Sequence, residues 1–323
     1  MITFLTITYN QDRFIIEHLE SIKYQIKNFG KDQDYSYILS DDCSTDSTVS
    51  LAKRWIELND DLFKEVKILT SEKNLGVVQN YLKASEYINT KSFKILAGDD
   101  LYYLNNISEV IENYDVVFTP TITFDKNGIK DCVSVNTLLA FKELKKIKKL
   151  MKLDNCFNAP GSFVTDEIIK DSGLRKFISN FKWIEDAPQW YYLLNYKKDI
   201  RIKIKNRPYI LYRLSEGISM GEANGKYNEF IIEKSSMIKK LDFNLTKYPK
   251  YINPYRYYAK FVSLKVKYFD EFTKKDIIEA NKVMKNELMR APNYLDEIRK
   301  KALEFYKDIG EEKVYVQVPN IRD

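Results

Sequence analysis

Two adjacent carboxylates, Asp99 and Asp100, directly follow a short apolar run that ends in Ala97 and Gly98. The run, residues 93–97, has the length of a buried strand. Open α/β sheets bind ligands outside the carboxyl ends of their strands. Mg²⁺ is often held by one or two carboxylates together with substrate phosphates. The pair therefore predicts a site for a divalent cation and a diphosphate. A solvated turn with an Asp that caps the next helix is the alternative.

Polar residues also follow the first two predicted strands. Tyr9 directly follows strand one, and strand two ends in the turn at residues 40–46, Ser-Asp-Asp-Cys-Ser-Thr-Asp. Strand and helix patterns alternate over the first 100 residues, which predicts βαβ units and a parallel sheet. Right-handed crossovers bring the carboxyl ends of such strands to one edge. We therefore expect Tyr9, Asp42 and the Asp99–Asp100 pair to converge. The predicted strands of this half are 2–8, 35–39, 66–69 and 93–97.

The second half adds another acidic pair, Glu185 and Asp186, at the start of a predicted aromatic helix. Asp186, with Pro188 two residues on, fits a helix N-cap, and a capping carboxylate can still face a cleft. Around this pair the pattern predicts short strands, a Lys-rich helix and a loop, followed by four apolar helical stripes between residues 229 and 308. The predicted elements here are strands 116–118, 121–124, 200–204, 209–212 and 314–318, the helix 138–153 and the loop 158–162.

Length and charge distribution limit the domain organisation and the partners that the protein can have. The 323 residues are enough for one large or two ordinary domains. Residues 1–223 carry no net charge, whereas residues 224–323 contain 21 Lys and Arg against 15 Asp and Glu, which is the whole net charge of +6. This basic, Tyr-rich C-terminal part fits an anionic partner such as a phospholipid surface. A solvated Lys-rich helical surface is the alternative.

Several kinds of site and segment are not expected. There is no apolar run of about 18 residues for a membrane span and no signal-peptide pattern. The cysteines, Cys43, Cys132 and Cys156, are odd in number and far apart, which favours a reducing compartment. The single histidine, His18, argues against a His-based metal site or a Ser-His-Asp triad, and we expect it on a helix surface. The Rossmann and P-loop glycine motifs are absent.

The first 220 residues resemble a GT-A fold glycosyltransferase of the inverting family 2 type found in bacterial polysaccharide synthesis. The resemblance rests on Thr-Tyr-Asn at 8–10, Asp-Asp-x-Ser-x-Asp at 41–46, Asn-x-Gly at 74–76, Gly-Asp-Asp at 98–100, Glu-Asp at 185–186, and Tyr-Arg at 212–213 with Ser219. The family's metal motif often reads Asp-x-Asp-Asp, and Ala97 stands here in place of the first Asp. The metal is therefore assigned to Asp100, with Asp99 either toward the ribose or sharing the metal.

The resemblance implies a Rossmann-like, mostly parallel sheet flanked by helices. This GT-A domain would span residues 1–223, with a nucleotide-binding half (1–100) and an acceptor half (101–223), and a mainly helical region, 224–323, would follow. It also implies an inverting transfer that depends on Mg²⁺ or Mn²⁺. The sugar would pass from a nucleotide-diphosphate sugar, with UDP-sugar favoured, to a hydroxyl of a glycan or lipid-linked saccharide.

The resemblance also implies roles for individual residues. Asp186 is the expected general base, and Ser162 and Glu185 are expected near the acceptor. Asp42 would accept a hydrogen bond from the base of the nucleotide, close to Tyr9. The full set of expected donor contacts is Ile7, Tyr9, Asp42, Asn74, Asp99 and Arg213.

Two other functions fit parts of the pattern. A sugar nucleotidyltransferase also combines an α/β sheet with metal carboxylates, but it usually has a Gly-rich basic loop after strand one. A catalytically idle nucleotide-sugar-binding scaffold would use the helical region to recruit partners. We expect a cytoplasmic protein, with residues 224–323 contacting either the inner membrane face or a second copy of the chain, and no nucleic-acid partner.

Overall fold

The computed structural model describes residues 1–30, 33–110, 114–140, 147, 159–197, 199–214, 226–241 and 254–310. Outside them lie Cys156, Ser219, Asn158, the predicted strand 314–318 and most of the predicted helix 138–153. The strands are β1 Ile2–Thr8, β2 Tyr35–Asp41, β3 Glu65–Thr70, β4 Ser92–Ala97, β5 Leu101–Tyr102, β6 Val116–Phe118, β7 Thr121–Asp125, β8 Gly128–Val133, β9 Ser162–Val164, β10 Ile202–Ile204 and β11 Ile210–Arg213.

Ten α-helices lie within this described part of the chain. They are α1 Ile15–Phe29, α2 Thr48–Glu57, α3 Val77–Ser85, α4 Asn136–Ala140, α5 Asp166–Ile169, α6 Ser172–Ile178, α7 Asp186–Tyr196, α8 Lys226–Lys240, α9 Pro254–Phe269 and α10 Glu271–Asp308. None of the described helices is long and apolar enough to cross a membrane.

The first four strands form a parallel sheet in the order β3-β2-β1-β4. Its central strand, β1, is buried along nearly its whole length because helices cover both faces of the sheet. The threonines of β1 would be costly there without partners. Thr3 is bonded to Ser36 and Thr90, and Thr6 is bonded to Tyr37. The predicted α/β fold with a parallel sheet is confirmed.

The strand order reverses at β1. The chain runs outward from β1 through β2 to β3 and then returns to place β4 on the opposite side of β1. A reversal of this kind opens a crevice beyond the carboxyl ends of the two strands that flank it. Ile7 of β1 pairs with Ala97 of β4 at this point, and Asp99 and Asp100 follow immediately. The carboxylate pair therefore lies where an open α/β sheet binds its ligand.

The Asp99–Asp100 turn also joins the first sheet to a second one. This sheet has the order β5-β11-β7-β8, and β5 begins directly after Asp100. Its outer strand, β8, is absent from the sequence prediction and pairs antiparallel with β7 across a tight turn at Gly128, whose φ is 111°. A third sheet, β10-β6-β9, places Ser162 opposite Phe118.

The C-terminal helices pack onto the sheets. Two of the four predicted helices are one continuous 38-residue helix, α10, that runs through Pro292. Its second half buries Ile298 and Phe305 among the side chains of the first two sheets, so packing compensates for the hydrogen bond that proline cannot make. The hydroxyl of Tyr294 donates to the main-chain oxygen of Tyr102 at 2.5 Å. The predicted helical C-terminal region is thus confirmed and contacts the strand that follows the carboxylate pair.

Candidate active site

The Asp99–Asp100 turn is held rigidly by the main chain. The Gly98 amide donates to the Ile7 carbonyl at 3.0 Å, and the Asp100 amide donates to the Ala97 carbonyl at 3.1 Å. A side chain at Gly98 would crowd its neighbours, because a Cβ there would lie 2.7 Å from Oε1 of Gln11 and 3.2 Å from Cδ1 of Ile15. Asp99 and Asp100 keep only 8% and 3% of their surface exposed. Burial and the neighbouring Asp99 charge raise the pKa of Asp100 well above its usual range, as expected of two carboxylates crowded in a dry site.

His18 contacts the main chain of the Asp99–Asp100 turn from the protein interior. The prediction that His18 lies on a helix surface is wrong. The side chain is fully buried. Its Nδ1 lies 2.6 Å from the main-chain oxygen of Asp100, and its Nε2 lies 2.7 Å from Oγ1 of Thr6. Burial lowers the pKa of His18 to about 4, so the ring is neutral. We assign the Nδ1–H tautomer because the carbonyl of Asp100 can only accept.

Arg213, an expected donor contact, is turned toward the protein interior. Its amide donates to Oδ1 of Asp100 at 2.8 Å, and its Nε donates to the main-chain oxygen of Asp99 at 2.7 Å. Its Nη2 forms an ion pair with Glu17 at 2.7 Å, with both side chains about 95% buried. The guanidinium lies between the rings of Phe14 and Phe124, 4.4 Å from each centroid. In this position Arg213 fixes the carboxylate turn from behind.

Asp42 and Asn74 meet in a second corner of the same sheet edge. The carboxylate of Asp42 accepts the amides of Leu75 at 2.7 Å and Gly76 at 2.8 Å, while the side chain of Asn74 donates to the Asp42 carbonyl at 3.2 Å. Gly76 adopts φ 89°, and a Cβ there would lie 2.6 Å from the side chain of Lys182. The main-chain conformation at position 76 therefore requires glycine. The corner links β2 to the loop that carries the second acidic pair.

Tyr9 lies at the end of β1, beside a turn fixed by side-chain hydrogen bonds. The next residue, Asn10, has φ 50°, and its Oδ1 accepts the Thr45 amide at 2.8 Å. Within the turn, Asp41 accepts the Ser44 amide at 2.8 Å. These bonds explain why the polar residues at 40–46 form a fixed turn at the sheet edge where Tyr9 and Asp42 lie.

The loop before α7 presents Glu185 and Asp186. Asp186 is the first residue of the helix and Glu185 is its N-cap, so the expected N-cap at Asp186 is wrong by one residue. Oδ1 of Asp186 accepts the Ala187 amide at 2.6 Å. Burial, together with the charges of Asp186 and Glu233, raises the pKa of Glu185 to about 8. At neutral pH this favours the protonated form of Glu185.

Glu233 of α8 holds this loop, although the sequence pattern did not mark it. Its carboxylate accepts three consecutive amides, those of Lys182 at 2.7 Å, Trp183 at 2.8 Å and Ile184 at 3.0 Å. One helical turn earlier, Glu229 accepts the indole Nε1 of Trp183 at 3.1 Å. The helical region therefore shapes the segment that leads into Asp186.

One cleft is lined by residues from both acidic pairs. The expected site residues that line it come from both halves of the chain and are Ile7, Asp100, Ser162, Glu185 and Asp186. The other expected residues, Tyr9, Asp42, Asn74, Asp99 and Arg213, lie outside its lining. The cleft therefore brings together carboxylates that are far apart in the sequence, those of Asp100, Glu185 and Asp186.

Lys94 also lines the cleft and was not expected there. It is 3% exposed, its Nζ donates to the Ser162 carbonyl at 2.7 Å, and it lies 4.6 Å from the centre of the Phe163 ring. Burial lowers the pKa of Lys94 to about 7, although the charge of Asp100 opposes the shift. A lysine in the middle of an apolar strand pattern, between Phe93 and Ile95, is the sequence signal that could have identified it.

Residues 3–163 match the family described as Glycosyl transferase family 2. Over 232 residues the chain is 26% identical to the dTDP-rhamnosyl transferase RfbG of Shigella flexneri, which covers 66% of this chain and 73% of that protein. The fold is similar to crystal structures of S. aureus TarS 1-349 in complex with UDP-GlcNAc and with UDP. Each has a TM-score of 0.50 and 16% identity and covers 98% of this chain and 94% of the other. With its GT-A fold and its strand-end carboxylates, the chain belongs to glycosyl transferase family 2.

Proposed function

We propose that the protein is an inverting, metal-dependent glycosyltransferase of the hexosyltransferase type. It moves a sugar from a nucleoside diphosphate to a hydroxyl of a glycan or lipid-linked saccharide in bacterial glycan synthesis. The observation that carries the proposal is that Asp100 and Asp186, 86 positions apart in the sequence, line one cleft at the point where the sheet order reverses. The family match ends at residue 163, so the role of Asp186 rests on this geometry.

The residues of the Asp99–Asp100 turn fit a divalent cation. Two buried carboxylates side by side repel each other, and burial together with this repulsion raises the pKa of Asp100. A cation removes the repulsion. Among the described residues no cluster of three or more acidic, histidine or cysteine side chains could hold a metal alone, so diphosphate oxygens and water would complete the shell. A bound Mg²⁺ or Mn²⁺ would neutralise negative charge on the leaving diphosphate.

The chemical step requires one base and one displacement. Asp186 takes the proton of the acceptor hydroxyl as its oxygen attacks the anomeric carbon from the face opposite the diphosphate. The new carbon–oxygen bond forms as the bond to phosphate breaks, and its electron pair leaves with the nucleoside diphosphate, so configuration is inverted. A positioned base of this kind contributes roughly 10²–10⁴-fold in rate. Ser162 and Glu185, which also line the cleft, contact the acceptor.

The donor side is assigned to the sheet edge beyond β1 and β2. Tyr9, Asp42 and Asn74 surround the base and ribose, and Ile7 and Asp99 continue toward the diphosphate. The relative in S. flexneri is named for a dTDP-sugar, so dTDP-sugars belong beside the favoured UDP-sugars as candidate donors. Both share a pyrimidine, and the proposed acceptor for a ring N–H is the carboxylate of Asp42, which also accepts the amides of Leu75 and Gly76.

Titration calorimetry with UDP, dTDP and GDP, with and without Mn²⁺, tests the donor site. One nucleotide should bind only with Mn²⁺. Asp100→Asn should abolish this Mn²⁺-dependent binding. Asp186→Asn and the exposed control Asp199→Asn should bind the nucleotide like wild type. Absence of nucleotide binding under every metal condition would exclude the transferase. Equal binding with and without metal would exclude the assigned cation site.

An assay of turnover distinguishes a glycosyltransferase from an idle scaffold and from a sugar nucleotidyltransferase. Release of nucleoside diphosphate from the matching nucleotide sugar should require Mn²⁺ and fall at least about 100-fold in Asp186→Asn. An idle scaffold would bind the nucleotide without releasing product. A sugar nucleotidyltransferase would instead form pyrophosphate from a nucleoside triphosphate and a sugar phosphate.

A further inference from the structure

The outer face of α9 carries a row of large apolar side chains that the fold leaves exposed. Tyr257, Phe261, Leu264 and Tyr268 have exposed fractions of 61%, 64%, 45% and 63%. Their spacing of four, three and four residues places them on one face of the helix. At 1.5 Å per residue the row is roughly 16 Å long. It forms a continuous apolar strip, which monomeric surfaces rarely carry without a partner.

The opposite face of α9 already provides the contacts that hold the helix in place. Val262 and Val266 are only 6% and 8% exposed. They belong to the hydrophobic cluster that also contains Ala187 and Trp190 of α7. The exposed row is therefore additional to the packing face, and the helix connects an outer surface to the core beneath Asp186.

The segment that carries the row is predominantly basic in sequence. Lys260 and Lys265 are exposed on either flank of it. Residues 254–275 contain two acidic residues, Asp270 and Glu271, against six basic ones, Arg256, Lys260, Lys265, Lys267, Lys274 and Lys275. If two copies of this face met symmetrically, their lysines would oppose each other. An anionic surface complements both the apolar row and its cationic flanks.

We propose that α9 docks in the plane of an anionic phospholipid surface. Phe261 and Leu264 enter the boundary between headgroups and acyl chains, where a helix with a large apolar face and a basic border binds. Tyr257 and Tyr268 sit at headgroup level, as tyrosines do at membrane interfaces. Lys260 and Lys265 contact lipid phosphates. The inference goes beyond the transfer reaction and does not rest on the identity of its donor or acceptor.

Vesicle co-sedimentation of the full chain tests the proposal. Wild type should bind vesicles of phosphatidylglycerol mixed with phosphatidylcholine, bind less at high salt, and show little binding to phosphatidylcholine alone. Phe261→Ser with Tyr268→Ser removes the apolar row, and Lys260→Glu with Lys265→Glu reverses its flanks. A lysine near an anionic membrane is worth about fivefold in binding. The charge-reversal variant should therefore bind anionic vesicles at least about tenfold more weakly. The apolar variant should weaken binding by a similar factor, because burial of one large apolar side chain is worth about tenfold or more.

Matched controls separate a docking face from general charge or hydrophobicity. Lys282→Glu with Lys300→Glu makes the same charge change at exposed sites on α10, and Leu58→Ser with Met289→Ser removes two exposed apolar side chains elsewhere. Both should bind vesicles like wild type, and all four double variants should melt within a few degrees of it. Size-exclusion chromatography with light scattering gives the oligomeric state.

The possible outcomes decide the proposal. Loss of anionic-vesicle binding in the two α9 variants alone supports it. Equal loss in the controls, or wild-type binding that does not depend on anionic lipid, overturns it. A dimer that dissociates in the Phe261→Ser, Tyr268→Ser variant, with no vesicle binding by wild type, also overturns it and identifies the row as an interface between two copies.

Discussion

Nδ1 of His18 lies 2.6 Å from the main-chain oxygen of Asp100. The other ring nitrogen, Nε2, accepts a hydrogen bond from Oγ1 of Thr6 on the central strand, at 2.7 Å. The only histidine of the chain thus ties the carboxylate turn to β1 through two neutral hydrogen bonds. Because His18 is fully buried and its pKa is lowered to about 4, this tie keeps one protonation state at neutral pH.

His18→Ala should loosen the carboxylate turn. The variant leaves the Asp100 carbonyl buried without its donor, which costs about 1–3 kcal/mol. We expect a lower melting temperature and weaker metal-dependent nucleotide binding by calorimetry. Thr6→Val should act in the same direction, and the double variant should cost less than the sum of the two, because both remove one chain of bonds. Additive losses would contradict a shared network.

The ion pair between Glu17 and Arg213 allows a test of what the arginine does. Breaking a buried pair on one side typically costs about 3–5 kcal/mol. If Arg213 positions the turn, Glu17→Gln and Arg213→Lys should both destabilise the protein and both weaken metal-dependent nucleotide binding. If Arg213 contacts the diphosphate directly, only Arg213→Lys should weaken binding. Calorimetry beside thermal unfolding distinguishes the two, with Glu57→Gln as an exposed control.

The sheet and the Asp99–Asp100 turn could be predicted from the sequence because strand periodicity is local. The buried position of His18 was also detectable: it stands three residues after Ile15 and four before Ile22, within the buried stripe of α1. The prediction failed because a polar side chain was taken to be exposed. Its partner, the Asp100 carbonyl, lies 82 residues away, and no local pattern reveals such a distant acceptor.

The same limit applies to Arg213 and Glu233. Tyr-Arg at 212–213 marked a position in the chain, but the direction of the guanidinium depends on Glu17, 196 residues away. The partners of Glu233 are main-chain amides, which have no side-chain signature. Periodicity identifies which face of a helix is buried, whereas the hydrogen bonds of buried polar groups depend on the assembled fold.

Glu233→Gln should impair turnover more than donor binding. The carboxylate accepts three amides from the loop before Asp186, and a neutral amide oxygen accepts them more weakly. We expect kcat to fall about tenfold or more, since small misplacement of a catalytic group is costly, while nucleotide affinity stays at the wild-type value. Glu279→Gln on α10, which is exposed, serves as the control. Equal losses of affinity and kcat would show that Glu233 only stabilises the fold.

Glu185 gives the protein a pH-dependent stability with a defined sign. Burial, together with the charges of Asp186 and Glu233, raises the pKa of Glu185 to about 8, while a glutamate in an unfolded chain titrates near 4.3. Between these values the folded protein holds a proton that the unfolded chain has released. The contribution of Glu185 to stability is therefore fully present below about pH 4.3 and is lost as pH rises toward 8.

Glu185→Gln should reverse this loss, because glutamine keeps the shape of the protonated acid and cannot ionise. The melting temperature of the variant relative to wild type should rise steadily from pH 5 to pH 8 and then level off. Each kcal/mol corresponds to about 2–4 °C for a domain of 150–250 residues, so differential scanning calorimetry can resolve the trend. The exposed control Glu279→Gln should show no such trend. A difference between Glu185→Gln and wild type that stays constant with pH would mean that Glu185 is ionised at neutral pH, and that both members of the acidic pair face the acceptor as carboxylates.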